Sequence, residues 1–281
     1  MKKIIYFIVI SLLLVACTHQ KEANDNKSFI NSNGKTLATR ICVPDGYHRN
    51  DEENTTLTSY LRNFDLKEAD ANVYLYNGKK KKNQSSHVAV MDLPLENKNL
   101  QQCADSIMRI YAQYFYETKQ YERISFHFVN GFEAKYTQWR EGYSIKVNGN
   151  NVSWYKSEEN HQTDESFVDY LHMVFMYAST LSLDQESISI NIEDINVGDI
   201  FIHPGSPGHA VMVVDVCINE NGDKAFLLAQ GYMPAQQFEI LKNPLHQDDP
   251  WYYTKEFSYP LKTPEYTFEK GSLKRPIYEK T

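Results

Sequence analysis

Cysteine is scarce in this sequence, with four residues in a chain of 281, too few for a disulfide framework in a protein of this length. Positive charge is also in deficit, because 29 Lys and Arg face 36 Asp and Glu, for a formal net charge of -7. Nucleic-acid binding needs a basic surface that neutralises phosphate, so this balance argues against a nucleic-acid partner. Glycine and proline, with 12 and 10 residues, form no rich linker that would divide the chain.

The rest of the composition is that of a globular protein. Hydrophobic residues make up 42% of the chain and charged residues 23%, which excludes wholesale disorder. At roughly 150 residues per domain, the length allows one large domain or two small ones. Aromatic residues are abundant, with 20 Tyr, 14 Phe and 3 Trp, and they favour a well-packed core and a sugar- or peptide-binding cleft. No internal repeat is visible, so we expect one domain.

The first residues predict an export signal. Two lysines precede apolar runs over residues 4–10 and 12–16, which are too short to cross a bilayer core of roughly 30 Å but suit a signal peptide. The second run ends in Leu14-Val15-Ala16-Cys17, which resembles the lipobox of bacterial lipoproteins. The resemblance implies cleavage before Cys17 and attachment of lipid to its thiol. The alternative is an ordinary secretory signal in which Cys17 is incidental.

These features predict a lipid-anchored protein of the cell envelope, with the outer membrane as its expected location and the membrane as its partner. Residues 1–16 would form the signal peptide. Residues 17–36 would hold the lipidated cysteine and a flexible tether, because they are polar and lack apolar periodicity. Residues 37–281 would form a single α+β domain.

Apolar periodicity predicts three helices and seven strands. The helices cover residues 57–63, 98–120 and 164–181, and the strands cover residues 73–76, 88–93, 124–129, 143–147, 199–202, 210–217 and 225–230. In the longest helix Leu100, Cys103 and Ile107 share one face, with Asn97 or Asn99 as the cap. Helices early and a hairpin late predict an α+β fold, with an antiparallel sheet packed against the helix that carries Cys103.

The C-terminal half carries the strongest functional pattern. Gly198-Asp199-Ile200 opens a strand, and His209 begins a long apolar strand. A hairpin at Asn221-Gly222 then leads to a strand that ends in Gln230. This arrangement resembles CHAP amidases and NlpC-type peptidases, papain-like cysteine hydrolases of bacterial cell walls. The resemblance implies a papain-like fold and three catalytic roles: Cys103 as nucleophile, His209 as base and Gln230 as the residue that orients the base.

Such a site must activate a thiol. Free N–H groups at a helix N-terminus carry partial positive charge, so we expect them to lower the pKa of Cys103. A neighbouring imidazole accepts the thiol proton and later donates it to the leaving amine. Backbone N–H groups near the cysteine hold the oxyanion. The expected reaction is amide hydrolysis in cell-wall peptide or a similar substrate.

The sequence departs from the CHAP and NlpC patterns in its cysteine context, which is not Asp-Cys-Ser, and at the third residue. Ala229 stands where a CHAP enzyme carries an acidic residue, which leaves Gln230 as the substitute. In a two-residue hairpin Gln230 faces Val213 and lies roughly 13 Å along the strand from His209, so a bulge would be needed to bring it closer. Gln236 is an alternative third residue.

Other pairings and plainer roles stay open. His87 precedes Cys103 and would pair with it in a circularly permuted papain-like fold. Cys103 also lies on the apolar stripe of its helix, where a buried packing cysteine is equally expected. Residues 79–82 are four lysines, interpreted as a solvated turn. The sequence has no His-Glu-x-x-His motif, Cys-x-x-Cys pair or phosphate-binding glycine loop, so we predict neither a metal nor a cofactor.

A second resemblance rests on four short motifs spread along the chain. These motifs are Arg40-Ile41-Cys42-Val43-Pro44-Asp45-Gly46-Tyr47, Leu100-Gln101-Gln102-Cys103-Ala104-Asp105, Asn130-Gly131-Phe132 and Gly205-Ser206-Pro207-Gly208-His209-Ala210-Val211. In these the chain resembles an uncharacterised lipoprotein family of Gram-negative bacteria, labelled as a domain of unknown function. This implies an envelope setting but no mechanism. Two functions therefore stay open: a cysteine amidase or peptidase, and an inactive papain-like lipoprotein that binds a peptide or glycan such as peptidoglycan.

Overall fold

The computed structural model describes residues 28–54, 56–157 and 161–279. The predicted signal peptide, Cys17 and the tether up to residue 27 lie outside the described residues. Residues 28–36, also assigned to the tether, already contact the domain: the N–H of Asn31 donates to the carbonyl of Arg40, and Ile30 pairs with Ile41. In the described part of the chain, no helix is both long and apolar enough for a membrane crossing.

The described residues form a mixture of helices and antiparallel strands. The helices are α1 (Leu37–Arg40), α2 (Leu57–Arg62), α3 (Cys103–Glu117), α4 (Tyr136–Arg140), α5 (Asp164–Tyr177) and α6 (Thr180–Gln185). The strands are β1 (Tyr47–His48), β2 (His87–Val90), β3 (Ser125–His127), β4 (Glu133–Lys135), β5 (Tyr143–Asn148), β6 (Asn151–Lys156), β7 (Ser187–Ser189), β8 (Ile200–His203), β9 (His209–Asn219), β10 (Lys224–Gln230), β11 (Glu239–Leu241), β12 (Tyr252–Tyr253), β13 (Leu261–Lys262), β14 (Thr267–Phe268) and β15 (Leu273–Pro276).

A nine-stranded antiparallel sheet forms the centre of the molecule. Its strands follow the order β2-β11-β10-β9-β8-β15-β7, with β1 on β9 and β12 on β10. The near-continuous apolar sequence of β9 fits a strand that is buried on both faces. Ala210 and Met212 belong to the core on the helical side, whereas Val211 and Val213 belong to a second core beneath the C-terminal segments.

Helix α3 packs against β9 and β10, as the sequence predicts. It begins at Cys103, five residues later than predicted, because Asp105 Oδ2 accepts the N–H of the preceding Gln102 at 3.0 Å and so caps the helix there. The proposed cap Asn99 has a different partner, since its Oδ1 accepts the N–H of Ala235 at 2.7 Å. Cys103 is therefore the first helical residue, with the free N–H groups of the helix N-terminus around it.

The pairing of β9 with β10 corrects the predicted register. The turn is longer than two residues, because Ile218 pairs with Lys224, and a bulge follows between Leu227 and Leu228. Val213 then pairs with Leu228 instead of Gln230. Both changes move Gln230 along β9 toward His209. The hairpin predicted from the sequence required a bulge to bring Gln230 closer to His209, and the structure has one between Leu227 and Leu228.

The segment between α3 and β8 folds onto the helical side of the sheet. It contains the hairpins β3–β4 and β5–β6 and the helices α4, α5 and α6. Phe126, Tyr170 and Leu171 of this segment are buried in the same core as Ile107 of α3. This insertion supplies one wall of the candidate site.

A buried ion cluster fastens the N-terminal segment to β9. Asp215 is fully buried and accepts hydrogen bonds from Arg49 Nε at 2.6 Å and from Arg62 Nε at 3.0 Å. The same guanidinium groups also donate to the carbonyls of Ile41 and Val216. Asp215 is thus a structural residue and does not contact His209.

Candidate functional site

Cys103 lies where the N-terminus of α3 meets the edge of β9. Its side chain is buried, and the backbone N–H of Ala210, the residue after His209, interacts with its thiol. Gly231, just after β10, permits this close approach: a Cβ there would lie 2.8 Å from the carbonyl oxygen of Gln102 and 2.4 Å from Ser106 Oγ. The thiol of Cys103 therefore lies beside the backbone of Ala210, the neighbour of His209 in β9.

The pKa of Cys103 contradicts our expectation of a depressed value. Burial raises the pKa of the Cys103 thiol to about 11, and the nearby carboxylate of Asp105 adds to the increase. The N–H groups of Ala210, Ala104 and Cys103 itself lower that pKa, but by less. The helix N-terminus acts in the predicted direction, and desolvation outweighs it. The resting group is a neutral thiol.

His209 is buried at the start of β9 among aromatic rings. Its Nε2 lies 2.8 Å from Gln230 Oε1, which brings together the two residues that the register prediction had separated. Its ring contacts those of Tyr232 and Tyr266 at centroid distances of 5.0 and 4.9 Å. Burial lowers the pKa of His209 to about 4, although the hydrogen bond that the ring donates to Gln230 and the charge of Glu265 oppose this change. The imidazole is therefore neutral at physiological pH and can accept a proton.

A buried cluster of charges lies behind Gln230. The Gln230 Nε2 donates to Glu239 Oε1 at 2.8 Å and to Glu265 Oε2 at 2.7 Å. Lys81 Nζ forms ion pairs with the same two carboxylates and a hydrogen bond with Ser86 Oγ at 3.2 Å. The solvated-turn interpretation of the lysine run is therefore wrong for Lys81, which is only 7% exposed.

Few features of the sequence indicate this cluster. Lys81 is one of four consecutive lysines, and Glu239 and Glu265 belong to segments without a catalytic motif. The only usable signal was the position of Glu239 in an otherwise apolar stretch, Phe238-Glu239-Ile240-Leu241, where a buried carboxylate needs a partner.

The alternative site residues contact this cluster rather than Cys103. His87 Nε2 lies 3.2 Å from the carbonyl oxygen of Ala71, and its Nδ1 lies 3.6 Å from Glu239 Oε2. Gln236 Nε2 donates to Glu239 Oε1 at 3.0 Å. Among the described contacts, none joins His87 or Gln236 to Cys103 or His209. Of the sequence candidates, only Gln230 meets the histidine.

A groove of about 360 Å³ runs past Cys103. One wall comes from the insertion and includes Phe175 and Met176, and the facing wall is the loop Gly205–Gly208, which contains a cis Ser206-Pro207 bond. Met176 and Met233 are 47% and 55% exposed at this groove. Cys103 is thus buried in the wall of an open groove with apolar side chains at its rim.

The raised pKa predicts how Cys103 responds to alkylation. Because a group with a raised pKa is protonated over a wider pH range, iodoacetamide should modify Cys103 slowly at neutral pH. The rate should keep rising about tenfold per pH unit beyond the point, near pH 8.5, where an unperturbed thiol levels off. Peptide mass spectrometry of the native protein measures the rate, with a short cysteine peptide as the reference. A plateau at about pH 7 would instead mean a resting thiolate.

Within the described residues, no group of three or more His, Cys, Asp or Glu side chains is arranged to hold a metal ion.

Comparison with known proteins shows that residues 37–275 match a family described as Domain of unknown function (4846). No curated protein matches the chain, and no solved structure does.

Proposed function

The chain belongs to the family described as Domain of unknown function (4846), and we propose that it is a papain-like cysteine hydrolase that cleaves amide bonds in the cell envelope. One observation carries the proposal: His209 is hydrogen bonded to Gln230 through Nε2, while the adjacent Ala210 N–H faces the Cys103 thiol at a helix N-terminus. Cys103 lines the groove, and His209, which is hydrogen bonded to Gln230, directly precedes the residue whose N–H contacts the thiol.

The hydrogen bonds of Gln230 fix which nitrogen of His209 acts as the base. Both N–H bonds of the Gln230 amide point to carboxylates, so its oxygen faces the imidazole and accepts a hydrogen bond from the N–H at Nε2. The neutral ring then has its lone pair on Nδ1. Among the described residues, Nδ1 of His209 has no hydrogen-bond partner, so it is free to receive the thiol proton.

The reaction proceeds in two halves. Cys103 Sγ attacks the amide carbonyl carbon while its proton passes to Nδ1 of His209; the imidazolium protonates the leaving nitrogen, the C–N bond breaks, and a thioester is left on Cys103. Water then gives a proton to Nδ1 and attacks the thioester. The C–S bond breaks, a carboxylic acid leaves, and the thiol recovers its proton.

The raised pKa of Cys103 favours proton transfer during attack over a preformed ion pair. In this respect the site works as a serine hydrolase does, in which the base removes the proton only as the nucleophile reacts. The backbone N–H groups of Cys103 and Ala104, at the N-terminus of α3, would stabilise the oxyanion. The exposed methionines at the groove suit a peptide with an apolar side chain next to the scissile bond.

The binding function stays the second candidate. The observation that favours it is the burial of both reactive groups, which raises the pKa of Cys103 to about 11 and lowers that of His209 to about 4. If no substrate brings the pair into reaction, the groove holds a peptide or glycan without cleaving it.

Hydrolysis of wall peptide separates the two candidates. The purified full chain, in detergent, is incubated with cell-wall fragments, and new amino and carboxyl termini are sought by liquid chromatography and mass spectrometry. We expect new termini with the wild type and none with Cys103→Ser, in which a much less acidic hydroxyl replaces the thiol. Binding of intact fragments by both proteins, with no new termini, would leave only the binding function.

Attachment to the envelope rests on the lipobox at residues 14–17. Lipid on Cys17 would tether the groove to a membrane close to wall polymer. Palmitate labelling that is lost in Cys17→Ser is the expected result, and equal labelling of both proteins would overturn this assignment.

A further inference from the structure

We infer that Glu239, Glu265 and Lys81 form a positioning cluster, which fixes the amide orientation of Gln230 and through it the protonated nitrogen of His209. The inference rests on the proposed function for its catalytic meaning, but its structural content is independent of activity. None of the three residues is assigned to a catalytic role, and the reaction itself uses none of them.

The cluster is built from buried charges. Glu239 is fully buried, Lys81 is 7% exposed, and the Glu265 side chain is 12% exposed. Burying charged groups is unfavourable unless they pair and form further hydrogen bonds. Each does so, because Lys81 binds both carboxylates and the carboxylates accept further hydrogen bonds from Gln230.

The donors and acceptors allow only one orientation of Gln230. Carboxylates accept hydrogen bonds and cannot donate them when ionised, so the NH2 group of Gln230 must face Glu239 and Glu265. In the flipped amide, its carbonyl oxygen would lie against two carboxylates. The observed orientation presents an acceptor to His209 Nε2, and the ring must then carry its proton on that nitrogen.

The cluster also carries a net negative charge, which is the sign that stabilises a protonated His209. Two carboxylates and one ammonium leave one negative charge behind the neutral amide of Gln230. Although burial would raise the pKa of Glu265, the hydrogen bond and charge of Lys81 hold it below the usual value, so the carboxylate stays ionised at neutral pH. This negative charge favours the imidazolium that His209 becomes when it receives the thiol proton.

Glu265 links the cluster to a motif without another role. Its Oε1 accepts the amide N–H of Asn83 at 2.9 Å, and Lys81 contacts Ser86 Oγ. The segment around Asn83-Gln84-Ser85-Ser86-His87, which suggested a competing catalytic histidine, therefore supports the carboxylates instead. Glu265 also precedes Tyr266, whose ring packs on His209.

Two substitutions at Glu265 separate orientation from charge. Glu265→Ala removes both acceptor oxygens and the charge, whereas Glu265→Gln keeps an acceptor oxygen for Gln230 and removes the charge together with the acceptor for Asn83. Glu265 suits this test better than Glu239, because it is on a loop and partly exposed. The matched control is Glu256→Ala, which removes a glutamate that contacts another histidine, His246, at 2.8 Å on the surface.

The tautomer of His209 is read by nitrogen-15 NMR of the full chain with labelled histidine, with the signal assigned by its loss in His209→Ala. At pH 7 we expect the Nε2–H tautomer in the wild type, in Glu256→Ala and in Glu265→Gln, and a mixture with the Nδ1–H tautomer in Glu265→Ala. The kcat for amide hydrolysis should fall about tenfold in Glu265→Ala with KM unchanged, and less in Glu265→Gln.

An unchanged tautomer in Glu265→Ala would overturn the inference, as would an Nδ1–H tautomer in the wild type. Either result leaves the role of Cys103 untouched. Conversely, the expected tautomer shift in a protein that cleaves no amide would support the positioning cluster and refute the proposed hydrolase.

Discussion

Replacing His209 by alanine is expected to lower kcat/KM for amide hydrolysis by about a thousandfold. The thiol of Cys103 is neutral at rest because burial raises its pKa to about 11, so it cannot attack until a base removes its proton. We propose His209 as this base, because it directly precedes Ala210, whose backbone N–H contacts the thiol. The measurement is the rate of cleavage of a wall peptide by the purified variant and the wild type across pH.

His203→Ala is the matched control for this substitution. His203 pairs with His209 across β8 and β9, but its side chain is exposed. We expect its loss to change kcat/KM less than threefold, on the order of a surface substitution. Equal losses in the two variants would show that the effect comes from the loop between the strands, and the assignment of the base would then fail.

Replacing Asp215 by alanine is expected to destabilise the fold by about 3–5 kcal/mol. The substitution leaves the guanidinium groups of Arg49 and Arg62 partly buried without their carboxylate partner. It also loosens the attachment of the N-terminal segment to β9, which both arginines provide. Urea unfolding followed by circular dichroism gives the change in the free energy of unfolding.

Asp92→Ala tests whether burial causes that effect. Asp92 also forms an ion pair, with Lys67 at 2.7 Å, but its side chain is 58% exposed. Exposed pairs contribute about 1 kcal/mol or less, so this variant should unfold close to the wild-type urea concentration. Similar midpoints for Asp215→Ala and Asp92→Ala would contradict the account of the Asp215 cluster.

The sequence predicted the main elements of the fold because their signals are local. The apolar periodicity of α3 and α5 and the long apolar run of β9 identify helix and strand from neighbouring residues alone. Packing of α3 on β9 and β10 also followed from the order of elements. The start of α3 was misplaced because the capping contact comes from Asp105, within the helix, and Asn99 has another partner.

The site was predicted less completely, since its geometry depends on contacts between distant segments. Cys103, His209 and Gln230 carry recognisable patterns, but the bulge after Leu227 that joins Gln230 to His209 has no clear sequence signature. Lys81 and Glu265 are 184 residues apart, and neither has a neighbour that suggests the other.

The pKa of Cys103 was mispredicted for a physical reason. A helix N-terminus lowers a thiol pKa through nearby N–H groups, but that argument ignores how deeply the thiol is buried. In this fold the N-terminus of α3 lies close to Gly231 at the end of β10, and the side chain of Cys103 is buried there. Desolvation then exceeds the effect of the N–H groups, and burial cannot be read from one helix alone.

Trapping the acyl group of the thioester shows whether Cys103 is the nucleophile of the proposed hydrolase. The full chain is mixed with a p-nitrophenyl ester of a short N-acylated peptide, quenched in acid and examined by intact-protein and tandem mass spectrometry. We expect one acyl group on Cys103 in the wild type, much slower acylation in His209→Ala, and none in Cys103→Ala. Equal acylation of the wild type and Cys103→Ala, or an adduct on another residue, would contradict this assignment.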